Sequence, residues 1–179
     1  MKYQEILDFW FATDTQAFWF AKSNEFDQNL TDRFDTVLQQ AAASELWRWR
    51  ATVLGRLAEI IVLDQFSRNI YRNTAQAFAQ DTQALSLAQE AIHLELDQHL
   101  KPHQRRFLYM PFMHSESKLI HEQALALFSA LGDANTLNYE LQHKQIIDRF
   151  GRYPHRNAIL GRRSTPEELE FLQQPNSGF

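Results

Sequence analysis

ATVLGRLAEIIVLDQF, residues Ala51 to Phe66, is the stretch whose reading decides the fold. Val53, Leu54, Leu57, Ala58, Ile60, Ile61, Val62, Leu63 and Phe66 leave almost no polar side, so the segment must be buried all round. Its β-branched residues favour strands, but the run is too long for an ordinary strand and has no flanking hairpin signal. It predicts a central buried helix.

Outward from this centre the same helical spacing recurs. Toward the N-terminus, Leu30, Phe34, Val37, Leu38 and Ala41 fall on one helical face, with Asp27 as the expected N-cap. Tyr3 to Phe11 predicts a short helix, and the aromatic set Phe18, Trp19 and Phe20 is expected to dock on the body. Toward the C-terminus, Asp81 is expected to cap a helix that buries Ala84, Leu85, Leu87, Ala88, Ala91 and Ile92. Pro102 suits a first helical turn, and Pro111 is expected to break or kink that helix. Ser115 to Leu131 predicts a second strongly apolar helix ending at Gly132, and Ala134 to Phe150 another ending at Gly151. Thr165-Pro166-Glu167-Glu168 combines a cap, a first-position proline and a reciprocal glutamate, the chemistry of a capping box.

These 179 residues are 44% hydrophobic, with Gly and Pro only five each, falling singly at element ends. The chain therefore reads as one all-helical domain over residues 1–179, of antiparallel helices on short connections, either a closed bundle or a superhelix of helix pairs. The absence of cysteine excludes disulfides and thiolate metal sites. The early acids Glu5 and Asp8 do not fit a signal peptide, and no apolar run could span a bilayer. The expected compartment is the cytoplasm.

The net charge is −4, which argues against general nucleic-acid binding. Yet Lys144, Arg149, Arg152, Arg156, Arg162 and Arg163 stand against Asp148 alone, so residues 144–163 carry +5 and the remainder −9. That stretch is either a basic surface patch or an anion site. Trp47 and Trp49 beside Arg48 and Arg50 fit a packed helix start with exposed arginines better than nucleic-acid stacking.

Polar side chains enter the apolar pattern in three places: residues 63–72, residues 109–116, and residues 149–157 with His143 upstream. An unpaired buried charge costs several kcal/mol in a fold stable by only about 5–15 kcal/mol. The charges must pair with each other, reach solvent or line a ligand cavity. The candidate ligand-binding residues are Asp64, Arg68, Asn69, His114, Glu116, His143, Arg149, Arg152, His155, Arg156 and Asn157. Arg68, His114, Glu116, Arg152, His155 and Arg156 are expected to converge, and their positive excess suits a phosphate or carboxylate. No spacing supports a metal site: His114 and Glu116 diverge on a helix, Pro102 interrupts the His99–His103 pair, and His121 has no carboxylate four residues away. Ser115 beside His114 is no nucleophile dyad, and no glycine loop cradles phosphate. No catalytic residue and no cofactor is implied. The expected partner is a small anion; a helical-repeat module gripping a peptide is the alternative.

LDQFSRNIYRNTAQAFAQD, YMPFMHSES and IIDRFGRYPHRNAILGRRSTPEE resemble, in order and spacing, the bacterial domain-of-unknown-function family 924. The resemblance runs from EILDFWF to Phe179 and implies a tetratricopeptide-like all-helical fold. It implies no activity. Ser67 stands where that family usually has Pro, and Tyr153 where it usually has Phe.

Overall fold

The computed structural model describes every residue except Asn176 and Phe179, the latter being where the family resemblance ends. The described residues form helices and turns, with no strand among them. They divide into two compact units, Met1–Arg72 with Gln76–Pro111, and Asn73–Ala75 with Phe112–Phe179.

The first unit contains α1 (Tyr3–Trp10), α2 (Thr13–Gln16), α3 (Asn24–Ala42), α4 (Val53–Ile61), α5 (Ser67–Ile70), α6 (Asp81–His93) and most of α7 (Pro102–Met113). The decisive stretch is buried as its composition demands: Leu57, Ala58, Ile60, Ile61, Val62, Leu63 and Phe66 are inaccessible to solvent. It is not one uniform helix. Between α4 and α5 the chain widens into a π-helical turn, Val62–Phe66, and then continues through Ile70. At Ser67 the hydroxyl donates back to the Leu63 carbonyl, and the helix does not stop at Phe66.

Aromatic rings fill the space around this axis. Trp10 packs on Phe66 at 5.5 Å and Phe107 at 5.5 Å, and Trp19 packs on Phe107 at 4.8 Å between ring centroids. The indole N–H of Trp19 donates to the Trp10 carbonyl at 2.8 Å. Trp19 thus docks as expected, while Phe18 and Phe20 remain exposed.

Several helix starts differ from the sequence expectation because a side chain had a better partner. The cap of α3 is Ser23, which accepts from the Phe26 N–H at 3.2 Å. Asp27, one turn inside, pairs with Arg72 instead, at 2.5 Å. Asp81 is the first residue of α6 and not its cap, and its carboxylate faces Arg68. Pro111 does not end α7, which runs two residues further. A proline so near the end disturbs only the last turn. Arg50 is not an exposed arginine: it forks onto Glu59 at 2.7 and 2.8 Å, and Glu59 is fully buried.

The second unit is built on a hairpin of α8 (Lys118–Leu131) and α9 (Ala134–Phe150). The Lys118 amine, at the start of α8, donates to the Asp148 carbonyl near the end of α9, so the two run antiparallel. Gly132 and Gly151 close these helices at φ +77° and +70°, left-handed conformations that glycine adopts without a Cβ penalty. Helix α8 begins at Lys118, three residues later than expected, with Ser117 as its cap. The Ser115 carbonyl therefore stays outside the helix. The last helix, α10 (Pro166–Leu172), starts with the expected capping box: Thr165 and Glu168 each accept from the other's backbone N–H.

Leu57 tests the buried axis. Leu57→Ala should cost about 2–5 kcal/mol in urea unfolding through lost burial and a residual cavity. A loss below about half a kcal/mol would contradict the packing of α4.

Candidate functional site

Of the candidate residues, Asp64, Arg68 and Asn69 belong to the first unit, on and just after the π-helical turn. Such turns are rare and often sit at functional sites. Asp64 is almost wholly buried, and Arg68 reaches back to it at 3.0 Å. The same guanidinium forks onto Asp81 at 2.8 and 2.9 Å and lies 5.6 Å from the Phe78 ring centre. Asn69 donates to Asp27 at 2.9 Å. One arginine between two carboxylates is an acid-rich network, with Gln65 donating an additional hydrogen bond to Asp64.

The second unit gathers its candidates around Tyr153, which is fully buried. Glycine at 151 ends α9, and the turn Pro154–Arg156 that follows sets Tyr153, His155 and Arg156 close together. The phenol donates to the Met113 carbonyl at 2.5 Å. Its ring is flanked by the imidazoles of His155, His143 and His121, at 5.5, 5.7 and 6.3 Å between centroids. The Arg156 guanidinium lies over the same ring at 4.5 Å, and His114 is 6.4 Å from His143. Burial of Arg156 strengthens such a cation–π contact.

The imidazoles are fixed in distinct states. His143 donates Nδ1–H to the Tyr139 carbonyl at 2.7 Å, which leaves the lone pair on Nε2. Burial drives its pKa well below the ordinary imidazole value, reinforced by the charges of His114, His121 and Arg156, so the ring is neutral at pH 7. His121 faces the Ser115 carbonyl through Nε2 at 2.8 Å; a carbonyl only accepts, so Nε2 carries hydrogen. That nitrogen also lies 3.1 Å from the Tyr153 hydroxyl. Its Nδ1 is 2.8 Å from Glu140, and both side chains are completely buried. Burial raises the Glu140 pKa against the opposing pull of His121. Their mutual hydrogen bond gives each buried group a polar partner, without which its burial would be costly.

Glu140 and His121 were missed in the sequence because their partnership is not local. No carboxylate lies four residues from His121 on its own helix. The hairpin turn at Gly132 and Asp133 folds α9 back and brings Glu140 across.

Glu116 and Glu168 anchor the basic segment. Glu116 accepts from the Tyr153 N–H at 2.7 Å and from Arg162 at 2.5 and 2.8 Å. Burial opposes its ionisation, but the Arg162 and Tyr153 hydrogen bonds and the Arg156 charge outweigh that and hold its pKa below the ordinary value. Arg152 forks onto Glu168 at 2.6 and 2.7 Å and donates to the Arg163 carbonyl at 3.0 Å. Asn157 donates to Glu168 at 3.3 Å and accepts from Arg162 at 3.0 Å. Arg149 pairs with Glu167 at 2.8 Å, both exposed, and stacks over Phe150.

The +5 of residues 144–163 is therefore largely matched. Lys144 pairs with Asp148 inside the segment, while Glu116, Glu167 and Glu168 arrive from outside it. Adding these three acids reduces the local sum to +2. His114, His143, His155 and Arg156 share the surroundings of Tyr153, with Glu116 on its backbone; Arg152 and Asn157 are tied to Glu168, and Arg149 stays on the surface. Among the described residues, no group of three or more His, Asp or Glu is arranged to hold a metal ion.

The Glu168 carboxyl is pulled down to about 2, first by Arg152, then by the Thr165 N–H and Asn157. A lowered folded pKa stabilises the fold above the unfolded value and is lost as pH falls through the folded one. Glu168→Gln should therefore cost about 1–3 kcal/mol at pH 7. Its deficit relative to the parent should shrink between about pH 5 and pH 2 in thermal unfolding. A deficit independent of pH would contradict the ionised pairing.

No described helix is long and apolar enough to cross a membrane. A search of curated proteins finds no match. The solved structure of a protein of unknown function, ATU0120 from Agrobacterium tumefaciens, is similar with a TM-score of 0.90 and 38% sequence identity, over 97% of this chain and 97% of that one. The sequence profile of the bacterial proteins of unknown function called DUF924 matches residues 6–176. With nearly its whole length matched, this chain belongs to the DUF924 family.

Proposed function

We propose that the protein binds a small anion, through a phosphate or carboxylate group, at the imidazole and guanidinium cluster around Tyr153. One observation carries this reading: His114, His143, His155 and Arg156 gather about one buried ring, that of Tyr153. The local sum stays positive, and an anion relieves a positive excess in a desolvated place. A guanidinium offers forked donors that match the oxygens of phosphate or carboxylate. The matched charge of the basic segment also fits a compact ligand better than the extended backbone of a nucleic acid.

Thermal unfolding with inorganic phosphate and with citrate tests the reading, against sodium chloride at equal ionic strength. A hundredfold excess over the dissociation constant should add about 2.7 kcal/mol. Arg156→Gln should abolish that gain, whereas Arg149→Gln, on an exposed pair, should keep it. A response equal to that of sodium chloride, or one that survives Arg156→Gln, would overturn the assignment.

A further inference from the structure

We infer that a groove in the first unit, remote in sequence from the Tyr153 cluster and of opposite charge, binds a small organic cation: an alkylammonium or alkylguanidinium on an apolar stem. The groove has a volume of about 690 Å³ and is lined from α1, α2 and the first half of α3. That size lies within the roughly 300–1,000 Å³ of small-molecule sites.

One wall is a ladder of three rings. Phe18 stacks on Phe26 at 4.9 Å and 10°, and Phe26 stacks on Phe9 at 6.0 Å and 11°. The protein already places a cation at one end, where the Arg33 guanidinium sits 4.5 Å over the Phe9 ring. At the other end Phe18 is 36% exposed, leaving aromatic surface for a second cation.

The polar lining holds four carboxylates, Glu5, Asp8, Asp14 and Glu25, against the single Arg33. Three have a local explanation: Glu5 accepts from the Lys2 N–H at the start of α1, and Asp14 and Glu25 stand in the first turns of α2 and α3, where acids are favoured. Asp8 has none. It stands in the last turn of α1, where the helix dipole disfavours negative charge, and no basic residue shares that turn. Among the described residues Asp8 makes no ion pair.

Thr15 supplies the independent sign of a ligand. It lines the groove at 5% exposure, and its hydroxyl makes no hydrogen bond to any described residue. With no partner among the described residues, the hydroxyl oxygen is left open to the groove that Thr15 lines. An ammonium or guanidinium N–H entering the groove would donate to it while its charge meets Asp8 and its stem lies along Phe18.

Agmatine and spermidine, titrated into the full chain and followed by amide NMR shifts, test this. Both should move resonances of α1, α2 and the first turns of α3, beyond the effect of sodium chloride at equal ionic strength. Asp8→Asn and Phe18→Ala should each weaken binding roughly three- to fivefold, the loss expected from one exposed contact. Thermal unfolding of each variant checks that it remains folded; Thr15→Val, nearly isosteric, provides a second variant that should weaken binding without unfolding the chain. An acetylated, amidated lysine tripeptide, run in parallel, distinguishes a free cation from one borne on a peptide. Shifts confined to other helices, or equal to those from sodium chloride, would overturn the inference. Phosphate binding at Tyr153 can fail or succeed without touching it.

Discussion

Buried charge has to be neutralised where it lies, and that constraint shapes this protein more than any single apolar contact. Interior acids of the helices have basic partners. Glu59 takes Arg50, Asp64 takes Arg68, Glu140 takes His121 and Glu168 takes Arg152. In every one of these pairs the acid is at least 97% hidden, so removing one partner leaves an uncompensated charge. Pairing of this kind adds little net stability over apolar packing, but breaking a buried pair is strongly destabilising.

The same constraint explains where helices begin and end. Asp27 and Asp81 are good capping residues by type, yet each is spent on an arginine, Arg72 and Arg68. Ser23 takes the cap of α3, and Gln80 stands before α6 without a side-chain cap. The late start of α8 keeps the Ser115 carbonyl out of the helix, and His121 depends on it to hold its Nε2 hydrogen. The π-helical turn carries Asp64, and Arg68 just after it bridges Asp64 and Asp81.

Tyr153 shows how one side chain organises a site. Its hydroxyl donates to the Met113 carbonyl and meets His121. Its ring meanwhile supplies the face on which Arg156 rests and packs against His143 and His155. The groove lined by α1, α2 and α3 uses aromatic rings differently, as a stacked wall beneath carboxylates. One chain thus carries a donor-rich cluster and an acid-rich groove.

The sequence by itself determined the all-helical class, the burial of residues 57–63, the glycine stops at Gly132 and Gly151, and the capping box at Thr165 and Glu168. Each depends on residues within a turn or two of one another, so spacing alone carries the physics. It also marked which segments put polar groups among apolar ones. Only the tertiary structure decided which charge meets which. Glu140 reaches His121 across a hairpin, Glu116 reaches Arg162 over 46 residues, and Glu59 turns Arg50 inward. Pairings at such separations follow from helix register and crossing, which no local pattern encodes, and they turned an apparent +5 stretch into a nearly matched one.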